Sequence, residues 1–552
     1  MLPELRVGCI VVPESSKKKN LPLGRPLARL NALSMPAASL KIVHNTYRDS
    51  VSLMQLSAKI AALSGVQQAS VVMATEGNLD LLREAGLLDG GVAASPSDLL
   101  VVLRAENEAA ASAALAETER VLAGGDRAAR QRGPQETPPR SIQMGLAAQP
   151  DANLALISTP GEYAAAEALK ALRLGLHVML FSDNVALADE VLLKGEAEQR
   201  GLLVMGPDCG TAIVGGVPLG FANAVRRGPI GVIGASGTGL QEVTSLIDLA
   251  GLGVSHAFGT GGRDLKAEVG GATMLRALDE LAADADTRVI VLVSKPPARE
   301  VAAKVLARAR ATGKPVIACF LGADAAQVEG DGVLAAATLE EAVAMALCAA
   351  RGMPYAGAPQ RPPQYDAVRL KPEQRFVRGL YSGGTFCYEA TLVLAPALEG
   401  LRSNTPVGAA TKLQDVWHSQ GHTLVDLGGD EFTRGRPHPM IDHRLRNERM
   451  VREAADAEVA VILLDVVLGY GAHPDPAAEM LPAIRAAREA AQRSGRELAF
   501  VGFVCGTERD PQGLARQVAA LRGAGVILAV SSAQAARTAA AIATRHAAAH
   551  QH

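Results

Sequence analysis

Gly231-Val232-Ile233-Gly234-Ala235-Ser236-Gly237-Thr238-Gly239-Leu240-Gln241-Glu242 reads as an apolar strand that turns through glycine into a helix. Further along, Gly379-Leu380-Tyr381-Ser382-Gly383-Gly384-Thr385-Phe386-Cys387-Tyr388-Glu389 repeats the arrangement. Such a junction aims backbone N–H groups and the positive end of a helix dipole at one spot, which favours an anion, usually a phosphate. Ser236, Gly237, Thr238 and Gly239 are therefore candidate phosphate-binding residues, as are Ser382, Gly383, Gly384 and Thr385. Ser and Thr are also ordinary helix caps, so one copy alone would decide nothing. Two copies point to an anion handled between related domains. Glu242 and Glu389, one turn into their helices, either complement the dipole or act as catalytic or positioning groups.

Other landmarks recur in the same order. Gly261-Gly262-Arg263-Asp264 is echoed by Gly428-Gly429-Asp430-Glu431, and the strand over 289–293 with Lys295-Pro296-Pro297 by 459–464 with His473-Pro474-Asp475. The segment from Lys314 to Cys319 is echoed by Arg496 to Cys505. A duplication of this kind sets the whole fold. Strands alternating with helices predict parallel sheets wrapped by helices. The reading is α/β throughout: an N-terminal Rossmann-like, CoA-binding-type region followed by two tandem flavodoxin-like, succinyl-CoA synthetase-like parallel-sheet domains. The predicted boundaries are an arm over 1–38, an α/β region over 39–125 read as parallel βαβ units, and a linker over 126–145. A Rossmann-like CoA-binding-type region follows over 146–226, then a flavodoxin-like domain over 227–352, a Pro/Gly-rich linker over 353–374 and a ligase-type flavodoxin-like domain over 375–546. Ligands of such sheets sit at the carboxyl ends of the strands.

Composition narrows the class. The chain has 552 residues, 48% hydrophobic but only 3% aromatic, so its cores should be aliphatic. A net charge of -2 argues against nucleic acid or an anionic membrane as partner. Six scattered cysteines without a CxxC pair fit reduced thiols in a cytoplasmic protein and no zinc site. No apolar run has the roughly 18–20 residues of a spanning helix.

The remaining candidates stand at predicted strand ends. Gly206-Pro207-Asp208-Cys209-Gly210 follows a strand, with Cys209 read as a buried structural thiol. Gly261, Gly262 and Asp264, and Gly428, Gly429 and Asp430, form corners where the backbone can approach a ligand. Asp264 and Asp430 either cap the next helix or hold Mg2+ or a substrate amide. Lys295 can neutralise a phosphate or a developing oxyanion, or simply be a solvated loop lysine. His473 is the histidine best placed as acid, base or phosphate donor. His438, Asp442 and His443 match no closed zinc pattern, and Arg434, Arg436, Arg444 and Arg446 around them read as an anion-facing or solvated helix face. No metal site is assigned.

These residues resemble a known family. Pro160 and its helix, Gly206-Pro207-Asp208-Cys209, and the run from Gly231 through Ser236-Gly237-Thr238 to Glu242 resemble the α subunit of succinyl-CoA synthetase. Residues 459–525 are similar to the ligase domain of its β subunit. Over about 40–540 the chain resembles the FdrA group of acyl-CoA synthetase-like proteins, through 234–243, Ser255-His256 and Gly259-Thr260-Gly261-Gly262-Arg263-Asp264. Departures from the synthetase are specific. Where it carries its phosphorylated His, this chain reads Leu321-Gly322-Ala323-Asp324; Ser294-Lys295-Pro296-Pro297 replaces the Glu that orients that His. Asn45-Thr46-Tyr47-Arg48-Asp49-Ser50 has no Gly where a CoA phosphate loop is expected. These departures argue against a phosphohistidine relay, against CoA binding and against nucleotide use by this chain alone.

The resemblance implies a component of oxamate carbamoyltransferase in allantoin and purine breakdown, exchanging oxalurate plus phosphate with oxamate plus carbamoyl phosphate in a hetero-oligomer with partner subunits. Its ligands would be carbamoyl phosphate or phosphate and a small carboxylic acid. Lys295, and with it His473, would polarise the carbonyl. Two alternatives stay open: an NDP-forming acyl-CoA synthetase with His473 or His256 replacing the lost His, and a non-catalytic metabolite-binding scaffold. Mg2+ also stays open.

Overall fold

A computed structural model describes residues 37–46, 48, 50–88, 91–130, 139, 141–357, 368–434 and 436–549. Nearly all of the predicted arm, and parts of both predicted linkers, lie outside the described residues. The chain divides into two compact units at Leu154/Ala155.

The first unit is built on strands Ala37–Val43, Val66–Met73 and Leu99–Ala105, with helices Ser50–Ala61, Glu76–Glu84 and Glu108–Arg130. Its sheet corrects the parallel reading. Leu99–Ala105 lies between the other two strands and is antiparallel to both. The first two strands and their helix are thus a split βαβ unit, with a third strand inserted between them. Leu53, Leu56, Ile60, Val71, Leu99, Val101 and Leu103 form its core. The helix runs on to Arg130, through Gly124-Gly125-Asp126-Arg127 where a break was predicted. The gentle cost of two glycines, about 1 kcal/mol each, does not stop an Ala-rich helix of 23 residues.

The second unit holds three sheets. The small one has the order Leu154–Ile157, His177–Leu180, Val204–Met205. The two large ones are the tandem copies. In the first, Ile230–Gly234 is central, flanked by Val254–Gly259 on one side and by Val289–Ser294, Val316–Phe320 and Val333–Ala335 on the other, all parallel. In the second, Phe376–Tyr381 is central, flanked by Thr423–Asp426 on one side and by Val459–Val467, Ala499–Cys505 and Ile527–Ala529 on the other, all parallel. The strand-for-strand match bears out the duplication. Strands such as Val289–Ser294 and Val459–Val467 are buried at every residue, which is why they read as near-continuous apolar runs. One element was not foreseen: a hairpin of Thr211–Val214 and Val217–Gly220 extends the first sheet antiparallel to Val254–Gly259. The second copy is lengthened by the short strands Arg402–Ser403 and Thr411–Lys412 and by the short helix Asp430–Thr433.

The two copies bury a continuous core. Leu240, Val243 and Ile247 of helix Gly237–Leu249, Phe386, Ala390 and Leu394 of helix Gly384–Leu394, and Ala535, Ala536 and Ala539 of helix Ser532–Ala549 belong to one cluster. The Phe386 and Phe503 rings meet edge to face, 5.0 Å between centroids.

Candidate functional site

Each turn follows the central strand of its sheet, at the carboxyl end. In the first, Ser236 has extended backbone and its Oγ accepts the Gly239 N–H at 2.9 Å, an ordinary side-chain cap. The second turn is held differently. Ser382 N–H, Ser382 Oγ–H and Gly383 N–H all donate to the carboxylate of Asp465, each at 2.8 Å. Asp465 is completely buried, and Arg446, equally buried, donates to its Oδ1 at 2.8 Å. An internal anion thus occupies the donors that precede the second helix.

The fold brings the two turns together. Ser236 Oγ and Thr385 Oγ1 are hydrogen-bonded across the copies. A side chain on Gly383 would stand 3.0 Å from Thr238 Cγ2. The first N–H groups of a helix have no partner within it; at the start of Gly237–Leu249 the Gly239 N–H is taken by Ser236, and just before Gly384–Leu394 the Gly383 N–H is taken by Asp465. Lys295, exposed at the end of its strand, reaches the same region: its Nζ lies 4.9 Å from the centre of the Tyr388 ring on the second helix. Asp426 borders it too. A Cβ on Gly384 would come within 2.6 Å of Asp426 Oδ2, while Asp426 Oδ1 accepts the Gly428 N–H. Burial pushes the Asp426 carboxyl up to about 6, against the pull of the Gly428 N–H and the Lys295 charge. The arrangement is one cation and two helix starts facing one place, with a carboxyl at its edge that titrates near neutral pH.

The other candidates divide. Gly206 and Pro207 are joined by a cis peptide, and Gly261, at φ +83°, packs so tightly on that turn that a Cβ would meet Pro207 O at 2.3 Å. Gly262 continues the corner. Asp264 is fully buried and committed: it accepts the Thr273 and Met274 N–H groups at 3.0 Å each, at the start of helix Ala272–Ala283, and Lys194 Nζ at 2.7 Å. That favours the capping reading over a ligand role. Gly429 caps the short helix Asp430–Thr433, which leaves Asp430 exposed. Asp208 keeps an exposed edge in a crowded recess. Desolvation there, then the charges of Asp183, Asp430 and Glu190 against that of Arg263, push it up to about 6. Among the described residues no group of three or more His, Cys, Asp or Glu is arranged to hold a metal.

His473 is half-buried, with its Nδ1 accepting the Asp475 N–H at 3.1 Å and its ring 5.4 Å from that of His443. It connects to the second turn through His443, Arg446 and Asp465 and through Met440 and His438, and no contact given for the described residues joins it to Lys295. The arginine run, read as an anion-facing or solvated face, divides: Arg434 and Arg436 are exposed, whereas Arg446 is buried against the Asp465 carboxylate. Arg446 and Arg449 are buried in a network with Asp465, Glu453 and Ser419, and Arg444 pairs with Asp442. Cys209 is the buried thiol expected, its pKa pushed up to about 12.

Glu242 and Glu389 lie at the interface of the copies, 2% and 1% exposed. Glu242 Oε1 accepts the Ser532 N–H at 2.8 Å, at the first residue of the last helix of the second copy. Glu389 Oε1 accepts the Leu339 N–H at 2.7 Å, at the first residue of the last helix of the first copy. Each glutamate caps the other copy's helix. Neither opens onto the anion spot, so direct catalysis by either is not what the geometry offers.

Asp426 and Asp465 were missed in the sequence. Asp465 left a trace, as a lone charge inside the apolar run Val459–Val467; Asp426 left none beyond its place at a strand end.

Comparisons with known proteins follow this division. A CoA-ligase family model matches residues 380–542, a CoA-binding domain model matches 225–322, and a model described as "AllF, heavy metal-associated domain" matches 35–139. The CoA-binding match falls on the first tandem copy, whereas the sequence reading gave that character to 146–226. Residues 35–139 hold no Cys, and their one histidine, His44, faces Asp98 at 3.2 Å, so no thiolate is present there to bind a heavy metal. At the small sheet, to which the sequence reading gave the CoA-binding character, the strand ends present Asp183 and Asp208, whose charges repel each other and Asp430 and suit the phosphates of CoA poorly. YahF of Escherichia coli K12 is 44% identical over 507 residues, covering 90% of this chain and 96% of that protein. The ADP-forming succinate–CoA ligase subunit alpha-2 of Trichomonas vaginalis is 32% identical over 32% of this chain and 58% of its own length. SauD, a subunit of the ADP-forming sulfoacetate–CoA ligase of Bilophila wadsworthia, is 27% identical over 33% of this chain and 63% of its own length. The chain thus spans less than two thirds of these ligase subunits. A solved acetyl-coenzyme A synthetase 1 of Ca. Korarchaeum cryptofilum covers 72% of this chain and 84% of its own at 14% identity and a TM-score of 0.31. The chain belongs to the succinyl-CoA synthetase-like family that includes YahF.

Proposed function

We propose that this chain is an FdrA-type component of an oxamate carbamoyltransferase, moving a carbamoyl group between oxalurate and phosphate. The observation that carries the reading is the meeting of the two helix starts beside Lys295, with no histidine in the segment that follows the strand Val316–Phe320. Val316–Phe320 runs into Leu321-Gly322-Ala323-Asp324, where Asp324 caps the next short helix. A phosphate bound by the helix starts and Lys295 would attack the carbamoyl carbon of oxalurate directly. The cation and the helix dipoles would stabilise the oxyanion, and Asp426 stands where it can pass a proton. Partner subunits complete the enzyme, and a divalent ion such as Mg2+ would be brought by substrate. The reading places it in the cytoplasm.

The test is formation of carbamoyl phosphate from oxalurate and phosphate by this chain assembled with its partner subunits. No product from the complete assembly refutes it. A second reading, an NDP-forming acid–thiol ligase, is favoured by the CoA-ligase and CoA-binding matches. It requires acid-labile labelling of a histidine, His473 or His256, after incubation with ATP; an unlabelled chain excludes it.

A further inference from the structure

We propose that Glu242 and Glu389 hold one proton between them across the interface of the tandem copies, and that this proton keeps the two helix starts docked on each other. Each carboxyl spends one oxygen on the far copy's helix. The other oxygens, Glu242 Oε2 and Glu389 Oε2, are buried with no hydrogen bond of ordinary geometry, although the Ser532 hydroxyl lies close enough to Glu389 to favour its charged form. Two carboxylates in one dry place cannot both ionise cheaply. A proton bridging the free oxygens satisfies both and removes the repulsion.

The surroundings leave this pair alone to titrate. Burial raises Glu242 well above the usual range, with the Glu389 charge next. Burial also pushes Glu389 up to about 7, against the Leu339 N–H. Cys319 and Tyr381 on the facing strands, Cys505 at its strand end and Cys387 on the Glu389 helix are all driven upward by burial and stay neutral. Glu340 on the first last helix is paired with Arg537 on the second, and Asp465 with Arg446. Glu341 adds a further negative charge facing Cys319. No histidine contributes to the field at either glutamate.

The two glutamates sit on the helices whose starts touch, through the N-cap Ser236 of one and Thr385 in the first turn of the other. They are positioning residues: the proton sets how closely the helix starts approach. That second step rests on the anion site proposed above.

The sign follows from linkage. Both carboxyls bind protons more tightly folded than unfolded, so stability falls as pH rises from about 4.5 through about 7 and beyond, by up to about tenfold in the unfolding constant per pH unit for each proton lost. Glu389→Gln keeps an acceptor for Leu339 and replaces the bridging proton by a permanent amide donor. The experiment measures thermal midpoint and sulfate affinity between pH 6 and 9 for the full chain and for Glu389→Gln. Sulfate stays a dianion throughout. The wild type should lose midpoint and sulfate affinity toward pH 9, and the variant should lose neither to the same extent. Parallel profiles for the two proteins overturn the proposal. If neither binds sulfate while the midpoints still diverge, the proton stands and the anion site fails. Glu242→Gln must reproduce the flattened profile; a variant as steep as wild type also overturns the idea, and it serves if Glu389→Gln does not fold.

Discussion

Asp465 ties the second turn to the core, and removing it tests that reasoning most sharply. Asp465→Ala strips the acceptor from Ser382 N–H, Ser382 Oγ–H, Gly383 N–H and Arg446 Nη1 at once. Breaking a buried ion pair from one side costs about 3–5 kcal/mol, because the surviving charge is left uncompensated. Two stranded backbone donors would add about 1–3 kcal/mol each if water did not reach them. The variant should therefore lose at least about 4 kcal/mol. Trp417 packs on Phe432 in this copy, 4.9 Å between rings, and it is the one tryptophan of the chain, so its fluorescence follows urea unfolding of this region. With a slope of about 2–3 kcal/mol/M, the midpoint should fall by about 1–2 M. The paired variant Asp465→Leu with Arg446→Met removes both charges and should be more stable than Asp465→Ala alone. A single-variant loss under about 1 kcal/mol, or a double variant that merely sums two single losses, would refute the account.

Four further outcomes follow. Lys295→Ala should weaken sulfate binding about 10–100-fold, the worth of one charge-assisted contact, with an unchanged thermal midpoint. Sulfate affinity should rise as pH falls through about 6, because protonation of Asp426 removes a negative charge from the edge of the site; Asp426→Asn should flatten that rise, by isothermal titration. Gly383→Ala forces a methyl to within 2.5 Å of Phe386 and 3.0 Å of Thr238, and should cost about 1–3 kcal/mol in urea unfolding while parting the helix starts. Cys209 should resist thiol reagents at pH 8 in the folded protein and react on unfolding.

The duplication was legible because it rests on local signals. Fully buried strands are apolar along their whole length, and Ser-Gly-Thr turns mark where they stop, so Ile230–Gly234 and Phe376–Tyr381 stand out as a matched pair. Strand direction is not local. The alternation before Glu108 suits a parallel sheet and a split one equally, and only the insertion of Leu99–Ala105 between its neighbours decides. The hairpin over Thr211–Val214 and Val217–Gly220 escaped because its strands have four residues each around Gly215-Gly216. Within the site, the turns and Lys295 were visible because each stands at a strand end. Asp465 and Arg446 were not, since what matters about them is a pairing between distant segments that no spacing encodes. The two glutamates were found but misjudged: helix position revealed where they are, and only the interface reveals what they cap.

Those two caps have a consequence for origins. A domain whose last helix begins on a glutamate supplied from elsewhere is unfinished on its own. Two identical copies related by a two-fold axis would finish each other, each lending its glutamate and borrowing its partner's. The present chain keeps that exchange between unequal halves, as a symmetric homodimer would after its two genes became one. Separately expressed halves, divided within 358–367, should then seek each other out rather than remain single.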